Sequence, residues 1–311
     1  MQTFIRVIEI WLPSPDRTRL VLGDGLYGPL GGFRAASERI SFAYGEGLPG
    51  RAWAARHPII LKDLQTSYFL RGEAAQAAGL TCAVALPVLA GDILLAVVVF
   101  LCGDDEAHVG AIELWRNDAR ENTEMSLVDG YYGTADAFGW LSQNTRFMRG
   151  FGLPGLAWQA GLPVAMADLG RAHGFLRWEG AVKVGLNKGM AFPYPDDGSG
   201  LTWVLAFISA QGTPIARRFE IWLPDEARAS LVLQVDDGGA EGSEAEEGPS
   251  ISVPRGEGLV GRAWSTCAPV VAHATGAGSG DTAPGQAESG AAVAIPFLRE
   301  ARLSAVVVWR F

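Results

Sequence analysis

The chain has 311 residues, 49% hydrophobic and 19% charged, enough apolar content for packed cores and length for two or three domains of about 100–200 residues. Its 25 Lys and Arg against 34 Asp and Glu leave a net charge of −9, and no basic cluster offsets it, which argues against nucleic acid and anionic membrane surfaces as partners. The three cysteines, Cys82, Cys102 and Cys267, follow no metal spacing, and free thiols fit a reducing compartment, so the expected location is the cytoplasm.

The N-terminal run MQTFIRVIEIWLP has neither a long apolar core nor a small-residue cleavage site, and does not read as a signal peptide. Its alternating part predicts a strand carrying Trp11, followed by a turn and a second short strand over Arg19 to Leu22. A variable loop then leads to a third strand over Arg39 to Tyr44. The glycine turn GEGLPGRAW opens a short helix that must stop before Pro58, because the residue before proline leaves the helical region. A short strand over Ile59 to Leu61 and a crossing helix over Glu73 to Ala78 come next. The apolar stretch Ala83 to Cys102 is broken by Pro87, Gly91 and Asp92, and reads as two strands and a turn rather than a membrane span.

The same succession then recurs twice. IEIWLP, IELWRND and FEIWLPD carry Trp11, Trp115 and Trp222, and GEGLPGRAW, GFGLPGLAW and GEGLVGRAW follow each. Trp11 to Gly47, Trp115 to Gly152 and Trp222 to Gly258 are 36, 37 and 36 residues apart. Trp53, Trp158 and Trp264, then Pro58, Pro163 and Pro269, keep the same step, and ALPV, AFPY and AIPF mark a final pair of strands in each copy. Agreement at so many separate positions means one structural unit repeated three times. The expected fold class is α+β: three tandem units at residues 1–105, 106–213 and 214–311, each a mostly antiparallel sheet of about five or six strands with few short helices. The third unit is degenerate. Its loop from Asp236 to Glu247 is acidic, and GAGSGDTAPGQAESG, residues 276–290, stands where the others have a crossing helix.

Candidate functional residues are few. Each glycine turn satisfies G-x-G-x-x-G, and Asp63 and Asp168 follow in two copies, which imitates a dinucleotide fingerprint. The following helix is too short for a βαβ crossover, so a tight turn with unusual backbone angles is the better reading. The Trp pairs, Trp11 with Trp53 and Trp115 with Trp158, either pack cores or line a pocket. Asp63 and Asp168 either touch a ligand or cap the following turn. Cys82 lies beside the crossing helix; Asn187 and Ala291 or Ala292 stand near its place in the other copies, so a buried inert thiol is the default. His57, His108, His173 and His273 occupy non-equivalent positions with no metal spacing, and no catalytic triad or recurring carboxylate pair stands out.

GEGLPGRAWAARHPIILKDL and FLRGEAAQAAGLTCAVALPVLAGDILLAVVVFL, with the upstream IEIWLP, resemble a GAF domain across nearly all of the first copy. In the second copy the resemblance covers GFGLPGLAWQAGLPVAMADL, FLRWEGAVKVGL and the final strands; in the third it covers the first strand, GEGLVGRAW and the final hairpin. The resemblance implies an antiparallel sheet with helices on one face and a small-molecule cavity, bound ligands such as cyclic nucleotides, tetrapyrroles, haem or metabolites, or a role in dimerisation and relay. The usual flanking helices, a bilin-attachment cysteine, a recurring haem histidine and the asparagine-lysine-phenylalanine signature of cyclic-nucleotide binders are not apparent, and the cofactor is left unknown.

The expected function is a cytoplasmic sensory or signalling protein with small-molecule-binding modules and no effector domain of its own. Its ligand contacts are expected among Trp53, Asp63, Cys82, Trp158 and Asp168, and its partners are a small molecule and a protein partner or second copy. The alternative is an interaction or dimerisation scaffold without ligand. A third class, methionine sulfoxide reduction as in some GAF-like proteins, would need Cys82 and Cys102, but nothing in the sequence gives those thiols an electropositive, accessible setting.

Overall fold

The computed structural model describes residues 3–103, 109–170, 175–194, 199–210, 212–236, 251–274 and 290–311. The acidic loop and the glycine-rich stretch of the third repeat lie almost wholly outside them, as do His108 and His173.

In the first repeat β1 (Val7–Pro13), β2 (Arg19–Leu26), β3 (Ser41–Ala43), β4 (Ile59–Lys62), β5 (Cys82–Ala90) and β6 (Ile93–Cys102) form one sheet in the order β3-β2-β1-β6-β5-β4. Helices α1 (Gly31–Ser37), α2 (Gly47–Ala55) and α3 (Gly72–Ala77) connect the strands. The second repeat supplies β7 (Gly110–Asp118), β8 (Glu124–Tyr131), β9 (Arg146–Met148), β10 (Val164–Met166), β11 (Leu186–Tyr194) and β12 (Leu201–Ala210), with α4 (Asp136–Gln143), α5 (Gly152–Ala160) and α6 (Trp178–Lys183). The third supplies β13 (Arg218–Pro224), β14 (Ser230–Asp236), β15 (Ser252–Pro254), β16 (Val270–Ala272), β17 (Ala292–Arg299) and β18 (Arg302–Arg310), with one described helix, α7 (Gly258–Thr266). All three sheets have the same strand order, and β1 with β2 and β6, β7 with β12, β13 with β18 and β17 with β18 all pair antiparallel. Three tandem α+β units, each with one six-stranded antiparallel sheet, are what the repeat predicted.

The second strand of each unit carries the same bulge, one residue after the one that faces the tryptophan. Trp11 pairs with Leu22 but Ile10 with Asp24; Trp115 pairs with Leu127 but Leu114 with Asp129; Trp222 pairs with Leu233 but Ile221 with Val235. An extra residue bends the strand and re-aims the side chains that follow. The strand expected to end at Leu22 therefore continues to Leu26. The variable loop after it contains a helix, α1, that apolar periodicity did not announce, since only Phe33 and Ser37 of its seven residues are buried.

The chain divides into two compact bodies, one of residues 1–87 and 97–215, the other of residues 88–96 and 216–311. In the first body the central strands are covered on both faces. Ala111, Trp115, Val204, Ala206 and Ile208 belong to a core beneath the helices, with Phe138, Phe147, Leu153 and Phe175. The alternate residues Ile112, Leu114, Leu205 and Phe207 are also buried, and Phe207 meets Phe100 of the first repeat edge-on at 5.3 Å. Burial on both faces explains why AVVVFL and WVLAFI run without polar alternation. Polar contacts also join these two repeats: Lys62 Nζ to Asp129 Oδ1 at 2.6 Å, the Tyr194 hydroxyl to the Pro87 carbonyl at 2.7 Å, and His57 stacked on Trp203 at 4.0 Å. In the second body Trp222, Leu231, Val260, Ala263, Trp264, Ala294, Val306 and Val308 form the core.

Candidate functional site

On β1, alternation sends Val7, Glu9 and Trp11 to the same side of the sheet. A glutamate there would be costly without partners, because a buried carboxylate loses its hydration. Glu9 has a full set. Trp11 Nε1 donates to its Oε2 at 3.0 Å, the Tyr27 hydroxyl to Oε1 at 3.2 Å, and the Ser37 hydroxyl lies 2.6 Å from Oε1. Arg71, at the start of α3, closes the set with a two-pronged pair, Nη1 to Oε1 at 2.5 Å and Nη2 to Oε2 at 2.9 Å, and Nη1 also donates to Ser37. The side chains of Arg71 and Glu9 are 3% and 0% exposed. Four rings surround the guanidinium, those of Phe33, Phe69, Trp11 and Phe42, at 4.8, 4.9, 5.3 and 5.9 Å. Rings at these distances attract a cation through their negative faces.

The second repeat builds the same centre. Glu113 accepts from Trp115 at 3.0 Å, from Tyr132 at 3.3 Å and from both Nη atoms of Arg177 at 2.5 and 2.9 Å, and Arg177 also donates to Ser142. Phe138, Trp115, Phe147 and Phe175 ring the guanidinium. Burial opposes ionisation of Glu113, but the Arg177 charge and the donated hydrogen bonds outweigh it and hold the carboxyl below its usual range. Burial and the adjacent glutamate push both Tyr27 and Tyr132 far up, so each phenol stays a neutral donor. Among the described residues the Nε–H of Arg71 and of Arg177 meets no acceptor.

The third repeat keeps Glu220 and Trp222, joined at 2.8 Å, but draws its cation from the sheet. Arg310 Nε reaches Glu220 Oε1 at 2.6 Å and Arg218 Nε lies 3.6 Å away. Arg310 pairs with Arg218 on β13, the register held in the first repeat by Leu101 opposite Val7. In the first two repeats the interior beside the tryptophan is thus occupied by a buried ion pair, whereas the third pairs its glutamate with partly exposed arginines.

These centres contain no activated nucleophile and no free general base. They tie α1 and α3 to β1 in the first repeat, and α4 and α6 to β7 in the second. Their signal in the sequence is recurrence: E-x-W stands in all three copies, and D-G-x-Y (Asp24 to Tyr27, Asp129 to Tyr132) and F-L-R (ending at Arg71 and Arg177) each stand in two, none of them among the residues expected at a site. The glycine of D-G-x-Y is needed for close approach: a Cβ on Gly25 would sit 2.7 Å from the Tyr27 ring and 2.8 Å from the Ile8 carbonyl oxygen.

Of the residues expected to contact a ligand, Trp53 is partly buried and meets Tyr44 edge-on at 5.3 Å, and Trp158 flanks the second core. Asp63 is exposed with φ +57° and accepts from the Thr66 hydroxyl; Asp168 Oδ1 accepts from the Gly170 N–H at 2.8 Å. Those contacts are turn-capping ones. Cys82 is fully buried beside Cys102, and burial, with the hydrogen bond between the two thiols, raises its pKa well above the usual range. None of the five lines the cleft described next.

The glycine turn is a tight corner. Gly45 and Gly47 have φ of +77° and +57°, the Gly45 N–H donates to the Gly50 carbonyl at 2.9 Å, and a Cβ on Gly50 would overlap the Ala43 carbonyl oxygen. Strands β3 and β4, which flank it, lie at opposite edges of the sheet, so no βαβ phosphate site forms.

A cleft of about 440 Å³ opens on the first repeat between β2, α1 and β3. Gly23, Asp24, Tyr27, Arg34, Glu38 and Arg39 are among its walls. β3 pairs only with Arg19, Leu20 and Val21, so β2 runs on past it along the cleft. Arg34 pairs with Glu38 at 2.8 Å, and Arg39 Nε donates to the Ala35 carbonyl. Tyr27 joins this cleft to the buried Glu9. Among the described residues no cluster of His, Cys, Asp and Glu could hold a metal ion, and no helix is long and apolar enough to cross a membrane.

Residues 7–114 match the GAF domain family. No curated protein matches the chain. Solved structures that it resembles include a GAF domain of A. aeolicus in an inactive state (16% identity, 32% of this chain and 58% of that chain, TM-score 0.26). A free methionine-R-sulfoxide reductase from Neisseria meningitidis with its substrate (14%, 32% and 52%, TM-score 0.25) and a GAF domain/HD domain protein from Geobacter sulfurreducens (16%, 32% and 64%, TM-score 0.27) are also similar. The chain spans between about half and two thirds of the length of each. The first unit of this chain is a GAF domain, and two further units with its strand order follow it.

Proposed function

We propose that this chain is a cytoplasmic sensory protein without catalytic activity of its own, whose first GAF unit binds a small molecule and whose remaining units relay the bound state to a protein partner or a second copy. The observation that carries the reading is the cleft of about 440 Å³ on the first unit, within the size range of small-molecule sites. Tyr27 lines it and donates to Glu9, the carboxylate that also holds Ser37 of α1 and Arg71 of α3. A ligand that shifts Tyr27 acts on the ion pair fastening both helices.

The absence of catalysis is supported by the burial of Cys82 and Cys102 and the saturation of Glu9 with donors. The relay is supported by exposed apolar side chains on the second repeat, Trp140, Phe151 and Trp178, where the first repeat has Ala35, Glu46 and Gly72.

Thermal-shift screening of the full chain against a metabolite library tests the proposal, with Tyr27→Phe as the coupling control. A hit should raise the melting temperature of the wild type and slow amide exchange in α1 and α3, with the second effect reduced in Tyr27→Phe. A broad library that stabilises nothing would overturn it.

A further inference from the structure

The helical layer of the second repeat exposes five large apolar side chains: Trp140 (64%), Phe151 (58%), Leu176 (56%), Val182 (53%) and Trp178 (49%). Trp140 lies on the side of α4 turned away from the buried Phe138 and Ser142. Leu176 and Trp178 flank the buried Arg177, Val182 follows Trp178 by one turn of α6, and Phe151 is the N-cap of α5. Helices α4 and α6 pack together where Gly180 lies against the Leu141 side chain. The first repeat has Ala35, Glu46, Leu70, Gln76 and Gly72 at the five places, and shares only the leucine. It builds the same sheet and the same buried ion pair without the other four, so folding does not require them. Apolar surface beyond the needs of the fold marks a contact.

Size and charge identify the occupant. With a whole aromatic side chain contributing about 150–250 Å², the exposed parts of the five come to about 500 Å² per copy. The polar rim brings this layer close to the roughly 800 Å² per partner of a standard interface. That rim carries both signs. Glu179 and Lys183 are exposed one turn apart on α6, and neither has a hydrogen-bond or ion-pair partner among the described residues. An acid and a base side by side complement themselves under a two-fold rotation, whereas a partner of one sign would leave one of them opposed by its like. Resting on the relay reading above, we propose that this layer is a two-fold contact with a second copy of the chain, its axis crossing α6 level with Ala181. The two α6 helices then run antiparallel, Glu179 of each copy meets Lys183 of the other, and Trp140 and Trp178 of both copies supply most of the apolar burial.

Sedimentation velocity of the full chain tests this, and should show a dimer at micromolar concentration. Trp140→Ala and Trp178→Ala should each weaken the dimer at least about fivefold, as truncating a buried interface tryptophan does. Leu70→Ala, at the place of Leu176 in the first repeat, should leave it unchanged. Glu179→Lys and Lys183→Glu should each weaken it, and the two together should restore it, because both salt contacts re-form with their signs exchanged. A monomer at every concentration, a dimer indifferent to both tryptophans, or a double reversal that fails to restore association would overturn the proposal. So would a monomer that sediments with phosphatidylcholine vesicles, by assigning the face to a membrane. A strict monomer that a library compound stabilises leaves the sensory reading standing and removes this inference; a dimer that obeys the substitutions while no compound binds does the reverse.

Discussion

Replacing Arg71 with methionine keeps the apolar stem but deletes the cation from a centre where both partners are almost wholly buried. Removing one member of such a pair costs about 3–5 kcal/mol, because the remaining charge stays in the interior unneutralised. The structure places the expected loss toward the lower end, about 3 kcal/mol, since Glu9 keeps three donors, Trp11, Tyr27 and Ser37. Methionine also packs well among the four rings that faced the guanidinium, which points the same way. Glu9→Gln should cost a similar amount by stranding the arginine, and the double variant should recover at least about 1.5 kcal/mol of the sum, because each single change breaks the same interaction. Native-state hydrogen exchange read by mass spectrometry is the suitable assay, since peptides from β1 and α3 report the first repeat while those from β7 and α6, around the intact Glu113 and Arg177, serve as the internal standard. A loss below about 1 kcal/mol in Arg71→Met, or strict additivity in the double variant, would refute the view that this ion pair fastens the helices.

Three other outcomes are expected. Gly155→Ala should destabilise the second repeat by about 1–3 kcal/mol in urea titration, because its Cβ would overlap the Met148 carbonyl oxygen, which is backbone and cannot swing aside. Native thiol labelling should modify the partly exposed Cys267 long before Cys82 or Cys102, with the latter two reacting only on unfolding. Glu113 has a depressed folded pKa, so its contribution is fully present above its unfolded value of about 4.3 and is lost as pH falls through the lower folded value. Melting temperature across an acid series should therefore drop below about pH 4 in the wild type, and the drop should be shallower in Glu113→Gln.

The buried polar centre was legible in part. Glu9, Glu113 and Glu220 sit two residues before each marked tryptophan, and Arg71 and Arg177 lie inside the stretches that carry the family resemblance. Nothing local to those stretches joins them: Glu9 and Arg71 are separated by 62 residues, and no periodicity predicts a pair across that distance. The cleft was not legible at all. Its walls come from the length of β2 beyond its ladder with β3 and from α1, a helix with only two buried residues and therefore little apolar signal. Asp63 and Asp168 drew attention because glycine-rich turns preceded them, but each bonds within its own turn, as short polar side chains do when the backbone nearby offers partners.

The sequence by itself determined the threefold repeat, the antiparallel α+β class and the corner formed by each glycine turn. Alternation, turn residues and spacing are local quantities, and a chain that repeats them must repeat the strands they encode. Tertiary structure decided where the charges went. Burial of Glu9 and Glu113 becomes tolerable only once an arginine from a distant helix start arrives among aromatic rings, and in the third unit Arg310 arrives from the neighbouring strand instead. The surface charges were settled the same way: Lys62 reaches Asp129 because two repeats pack together.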